Sequence, residues 1–96
     1  MHFGEKIKEL RENKGLLQRQ LAASLEIDTP MFSKIERGER KAKREQVVLL
    51  SKLLNIKEDE LLTIWLADQV YDLVAHDNNA FKALKLAENQ LKRKRK

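Results

Sequence analysis

No cysteine occurs in the sequence, which excludes disulfides, thiolate-held zinc and thiol nucleophiles and fits a reducing compartment. Proline occurs once and glycine three times in 96 residues, and aromatic residues make up 5%. A chain so poor in helix breakers and 42% hydrophobic reads as ordered. No apolar run reaches the ~18 residues of a membrane span, and Met1-His2-Phe3-Gly4-Glu5 lacks the apolar stretch of a signal peptide. A cytoplasmic protein is expected. No nucleophile is paired with a base, and no glycine-rich loop could cradle a phosphate. An enzyme is therefore not expected, nor a cofactor, a metal or a small-molecule ligand. His2 and His76 stand alone and read as surface or capping residues, and Glu58-Asp59-Glu60 reads as a helix start.

Charge is plentiful and unevenly placed. Residues 1–57 hold thirteen Lys/Arg and eight Asp/Glu, a net +5. Residues 58–91 hold two and seven, a net −5, and Lys92-Arg93-Lys94-Arg95-Lys96 restore +5. The first half should face a polyanion and the acidic segment should not. A chain of this length buries only about 60–65% of its unfolded surface, so a second subunit would help it.

The apolar residues recur with helical spacing almost throughout. Six helices are expected. The first is Gly4 to Lys14, with Phe3, Ile7 and Leu10 inward and Gly15 as its stop. The second is Gln18 to Leu25. The third runs from Thr29 to about Arg37, with Asp28 as N-cap, Pro30 in the first turn and Gly38 at the end. The fourth is Arg44 to Leu54, with Val47, Leu50 and Leu54 inward and Ser51 and Lys52 on the wet side. The fifth starts near Glu58 and runs to about His76, with Leu62, Leu66, Val70 and Leu73 as one stripe. The sixth is Asn79 to Leu91, carrying Phe81, Leu84, Ala87 and Leu91, and the basic run after it should fray. The expected division is a folded domain over 1–62, a helical association segment over 63–91 and a basic tail over 92–96.

The second and third helices, joined by Glu26-Ile27-Asp28, have the layout of a helix-turn-helix. Phe32 and Ile35 bury one side of the third helix. Thr29, Pro30, Ser33 and Lys34, with Arg37 further on, face outward. They offer a hydroxyl, an apolar contact for a thymine methyl and a cation for guanine. Five cations then fall within Arg37 to Arg44, a composition suited to phosphate.

The motifs Arg11-x-x-x-Gly15, Gln18-Arg19-Gln20-Leu21-Ala22 and Ser33-Lys34-Ile35-Glu36-Arg37-Gly38 together resemble the phage lambda repressor-like, or Xre, helix-turn-helix domain, over residues 3 to about 62. The resemblance implies an all-α fold. It would be a five-helix DNA-binding domain whose fifth helix is extended and followed by an additional C-terminal helix, with the third helix as recognition helix. It implies base reading by Thr29, Pro30, Ser33 and Lys34, with Met31 beside them. Gln18 would anchor a phosphate and buttress the recognition helix, and Arg11 and Glu36 would form a structural ion pair. Arg19, Arg37, Lys41, Lys43 and Arg44 are the further phosphate candidates. Two residues depart from the pattern. Leu17 stands where Thr or Ser usually caps the second helix, a loss of roughly 0.5–2 kcal/mol, unless it packs instead. Pro30 removes a backbone donor from the reading surface, so the recognition code cannot be copied from relatives.

The fifth and sixth helices hold more apolar residues than one buried face needs. Trp65, Leu66, Val70, Leu73, Val74, Phe81 and Leu84 are expected at a homodimer interface. The expected function is a sequence-specific, double-stranded-DNA-binding transcriptional regulator of a bacterium, phage or mobile element. Its half-sites would lie about 34–36 Å apart on a pseudo-palindrome. The alternative is an antitoxin-type module that binds a toxin through its C-terminal half and represses its own operon.

Overall fold

The computed structural model describes residues 2–95, with side chains from residue 3. Met1 and Lys96, the ends of the expected domain and tail, lie outside the described residues, as does the side chain of His2. Six helices follow in order: α1 His2–Asn13, α2 Gln18–Ser24, α3 Thr29–Glu36, α4 Arg44–Leu53, α5 Glu58–Val74 and α6 Ala80–Lys94. The described residues are all-helical. The core sits where α1, α3 and α5 converge, flanked by α2 and α4. Phe32, Ile7, Ile35, Leu50, Leu54, Leu61 and Val47 are completely enclosed within it.

Helix α1 begins before Gly4, which has another use. A Cβ on Gly4 would lie 2.3 Å from the carbonyl oxygen of Glu36, so α1 crosses the end of α3 at backbone contact. Gly38 supplies the left-handed turn that ends α3, at φ +77°. Its N–H donates to the Ile35 carbonyl and that of Glu39 to the Lys34 carbonyl.

Several expectations change. Ser51 is buried rather than wet; its hydroxyl donates to the Val48 carbonyl at 2.6 Å, which satisfies it inside. The inward stripe of α5 is Leu61, Trp65 and Asp68, beside the stripe of Leu62, Leu66, Val70 and Leu73. Leu66, Val70 and Leu73 consequently face solvent. Trp65, expected at a subunit interface, is a core residue only 9% exposed. The packed body thus runs past residue 62, through Asp68. Helix α5 stops at Val74, short of His76. The basic run is not frayed: α6 continues to Lys94. No residue of α6 is buried, so the helix stands away from the body.

Candidate nucleic-acid interface

Helix α3 is fixed at both ends. At its start, the Asp28 carboxylate accepts a hydrogen bond from the Met31 N–H at 2.7 Å. Pro30 falls within the first turn, where no intrahelical donor is needed. Ahead of it the chain reverses through Glu26 at φ +59°. At its far end, Glu36 is buried and takes a two-pronged grip from Arg11. Arg11 Nε donates to Oε2 at 2.7 Å and Nη2 to Oε1 at 3.1 Å. Arg11 Nη1 donates to the Leu16 carbonyl at 2.9 Å, which ties in the chain between α1 and α2. The hydrogen bond to Glu36 holds the Arg11 guanidinium above its ordinary pKa. Gln18 Nε2 completes the arrangement, donating to Glu36 Oε1 at 2.8 Å. One carboxylate therefore joins α1, α2 and α3.

Leu17 neither caps α2 nor packs; it is half exposed. The helix start is secured from the other direction, because Gln20 Oε1 accepts from the Leu17 N–H at 2.7 Å. Gln46 does the same for the Lys43 N–H at the start of α4.

With α3 held in this way, Phe32 and Ile35 are buried, Pro30 and Lys34 are exposed, and Thr29, Met31 and Ser33 are partly exposed. Arg37 reaches back along this surface. Its Nη1 donates to Ser33 Oγ, while Nε and Nη2 donate to the two Glu39 carboxylate oxygens at 2.7 and 3.3 Å. Hydrogen bonding to Arg37 lowers the Glu39 pKa, and the same contact raises that of Arg37. Ser33, Arg37, Glu39 and Gln18 line one shallow hollow.

The loop after α3 is tied to the middle of α5. Trp65 Nε1 donates to the Ala42 carbonyl at 2.8 Å. Lys41 Nζ lies 3.2 Å from Gln69 Oε1, and the Arg44 guanidinium sits over the Trp65 ring, 5.3 Å from its centre. Arg19 on α2 and Lys43 in the loop are exposed. In the hollow lined by Lys41, Ala42, Trp65 and Gln69, the Phe3 N–H donates to Asp68 Oδ2 at 2.8 Å. Trp65, Asp68, Gln69 and Glu39 were not among the residues that sequence reasoning placed at the site. A single Trp four residues after a buried Leu, needing an acceptor for its N–H, was the one available signal.

Among the described residues, no group of His, Asp and Glu could hold a metal ion, and no helix is long and apolar enough to cross a membrane.

A family model described as helix-turn-helix matches residues 7–61. Among curated proteins, the chain is similar to the HTH-type transcriptional activator BcrR of Enterococcus faecalis, at 38% identity over 63 residues. The match covers 66% of this chain and 31% of that protein, so the chain spans about a third of the relative's length. No solved structure matches the chain significantly.

Proposed function

Because the chain belongs to the helix-turn-helix family, in its lambda repressor-like form, we propose that it is a sequence-specific DNA-binding transcriptional regulator. The observation that carries this reading is the fixed exposure of one face of α3. The Arg11–Glu36–Gln18 network and the Asp28 cap hold Thr29, Pro30, Ser33 and Lys34 outward, in the place from which a recognition helix meets base edges. The cationic loop follows immediately and would run along the phosphates, so binding would be steeply salt-dependent. Gln18, Arg19, Arg37, Lys41, Lys43 and Arg44 are the phosphate contacts in this reading, and the protein acts in the cytoplasm on the nucleoid. The relative's name, a transcriptional activator, supports the regulator class.

The regulator would act as a homodimer, built from two apolar stripes that the single chain leaves largely exposed. Leu62, Leu66, Val70 and Leu73 run along α5, and Ala80, Leu84, Ala87 and Leu91 along α6, with most of these side chains exposed. Each stripe spans twelve residues, about 17 Å of helix. Residues 58–77 carry six acids and no Lys or Arg, whereas residues 80–95 carry six Lys/Arg and one acid. A second copy could lay its basic α6 on this acidic α5 and receive the same in return. Val74 and Phe81 border the two stripes. The same exposed stripes favour the second reading, an antitoxin-type module whose C-terminal half holds a toxin.

Selection of duplexes from a random pool tests the reading. An enriched pseudo-palindrome with half-sites one helical turn apart is expected. Ser33→Ala with Lys34→Ala should abolish that preference while leaving the helical circular dichroism intact. Retained preference in this double variant would remove the assigned reading face.

A further inference from the structure

The end of α3 holds three side chains in a connected arrangement that a phosphate contact does not explain. Arg37 spends Nε and Nη2 on Glu39 and Nη1 on Ser33. Arg37 and Glu39 are both about half exposed, and an ion pair in that setting adds little to stability. Its consequence is orientation. Arginine has five N–H donors. With three engaged, one remains on each terminal nitrogen, and two neighbouring terminal donors are the fork that fits guanine O6 and N7.

The two partners distinguish a base from a phosphate as the target. Ser33 lies one turn before Arg37 on the reading face, so its hydroxyl holds the guanidinium against that face. Glu39 adds a negative charge where DNA would approach. A carboxylate beside a simple phosphate contact weakens it, because it cancels the attraction. A carboxylate behind a base-reading arginine costs some attraction but aligns a planar group whose geometry decides which base is accepted. We propose that Arg37 reads guanine in the major groove and that Glu39 is a positioning residue which, with Ser33, sets the direction of its fork. The assignment rests on the DNA-binding reading above and moves Arg37 from the phosphate set to the base-reading set.

The test uses the full 96-residue chain, wild type beside Arg37→Lys, Arg37→Ala and Glu39→Gln, with helix content checked for each. Wild type should enrich a guanine at one position in each half-site. Replacing that base pair in the selected duplex should weaken binding by on the order of ten-fold. Arg37→Lys keeps the charge and loses the fork, so it should erase the guanine preference without changing the salt slope. Glu39→Gln should tighten binding to unselected DNA while lowering guanine discrimination several-fold, a combination that a merely structural role would not give. The assignment is overturned if Arg37→Lys keeps the wild-type preference. It is equally overturned if Arg37→Ala lowers the salt slope by about one and leaves the enriched sequence unchanged. A wild-type pool with no enriched sequence removes the regulator reading itself, and this assignment with it.

Discussion

Glu36 occupies a position where charge and burial conflict, and the conflict is resolved by neighbours from two other helices. Its carboxylate is buried, and Arg11 and Gln18 supply the three hydrogen bonds that it receives. Removing only Arg11 strands a buried anion, whereas Glu36→Gln retains hydrogen-bonding capacity without the charge. Arg11→Ala should therefore lose about 3–5 kcal/mol in urea unfolding, and the double variant Arg11→Met, Glu36→Leu should lose much less. Equal losses in the two would mean that the pair is not effectively buried. Gly4 is the second residue under strict constraint. A methyl group there meets the Glu36 carbonyl, and backbone cannot step aside as a flexible side chain would. Gly4→Ala should cost roughly 1–3 kcal/mol, read as a lower denaturation midpoint. An exposed helical glycine would instead gain from the same change.

At the scale of elements, α5 is the frame against which the cationic loop after α3 is set. Trp65 fixes Ala42 by a hydrogen bond and supports Arg44 by its ring, and Gln69 meets Lys41. Trp65→Phe keeps most of the packing and leaves the buried Ala42 carbonyl without its donor. The expected cost is about 1–3 kcal/mol, accompanied by weaker binding to all DNA sequences and an unaltered preference among them. A change of preference would mean that α5 acts on α3 and not on the loop. The bounds of α2, α3 and α4 were legible in the sequence to within a residue, because Asp28, Gly38 and Asn55 mark ends by local backbone chemistry. The Arg11–Glu36 pairing was legible only through the resemblance to lambda repressor-like domains, since nothing local joins residues twenty-five apart. The inward face of α5 was not legible. That helix is apolar on nearly every side, so periodicity could not choose between Leu61-Trp65-Asp68 and Leu62-Leu66-Val70-Leu73. The choice depends on Phe3 and Ala42, whose positions are tertiary facts. Gly4 misled for the same reason: it read as a helix start and serves a crossing.

For the whole molecule, the division of charge runs parallel to a division of packing. The basic half is enclosed around one core, and the acidic α5 end and basic α6 expose apolar stripes. In the dimer reading, Leu84→Glu and Leu66→Glu each place a charge in the seam. Light scattering at micromolar concentration should give about twice the chain mass for wild type and the chain mass for either variant. Operator binding by the variants should weaken strongly while their helix content stays near wild type. A wild-type monomer at that concentration would remove the dimer and leave the stripes to a different partner.

The hydrogen bond from Phe3 to Asp68 joins residues sixty-five apart in sequence, and it bears on how the protein is made. Chains emerge N-terminus first, at about 5–20 residues per second, and closing so long a loop costs entropy that only the finished contacts repay. The first turn of α1 gains its carboxylate only after α5 has been synthesised. A product cut short before Trp65 would carry every candidate DNA contact but lack the ties that join the cationic loop to α5. Premature termination would thus leave the loop unanchored and the first turn of α1 without its carboxylate.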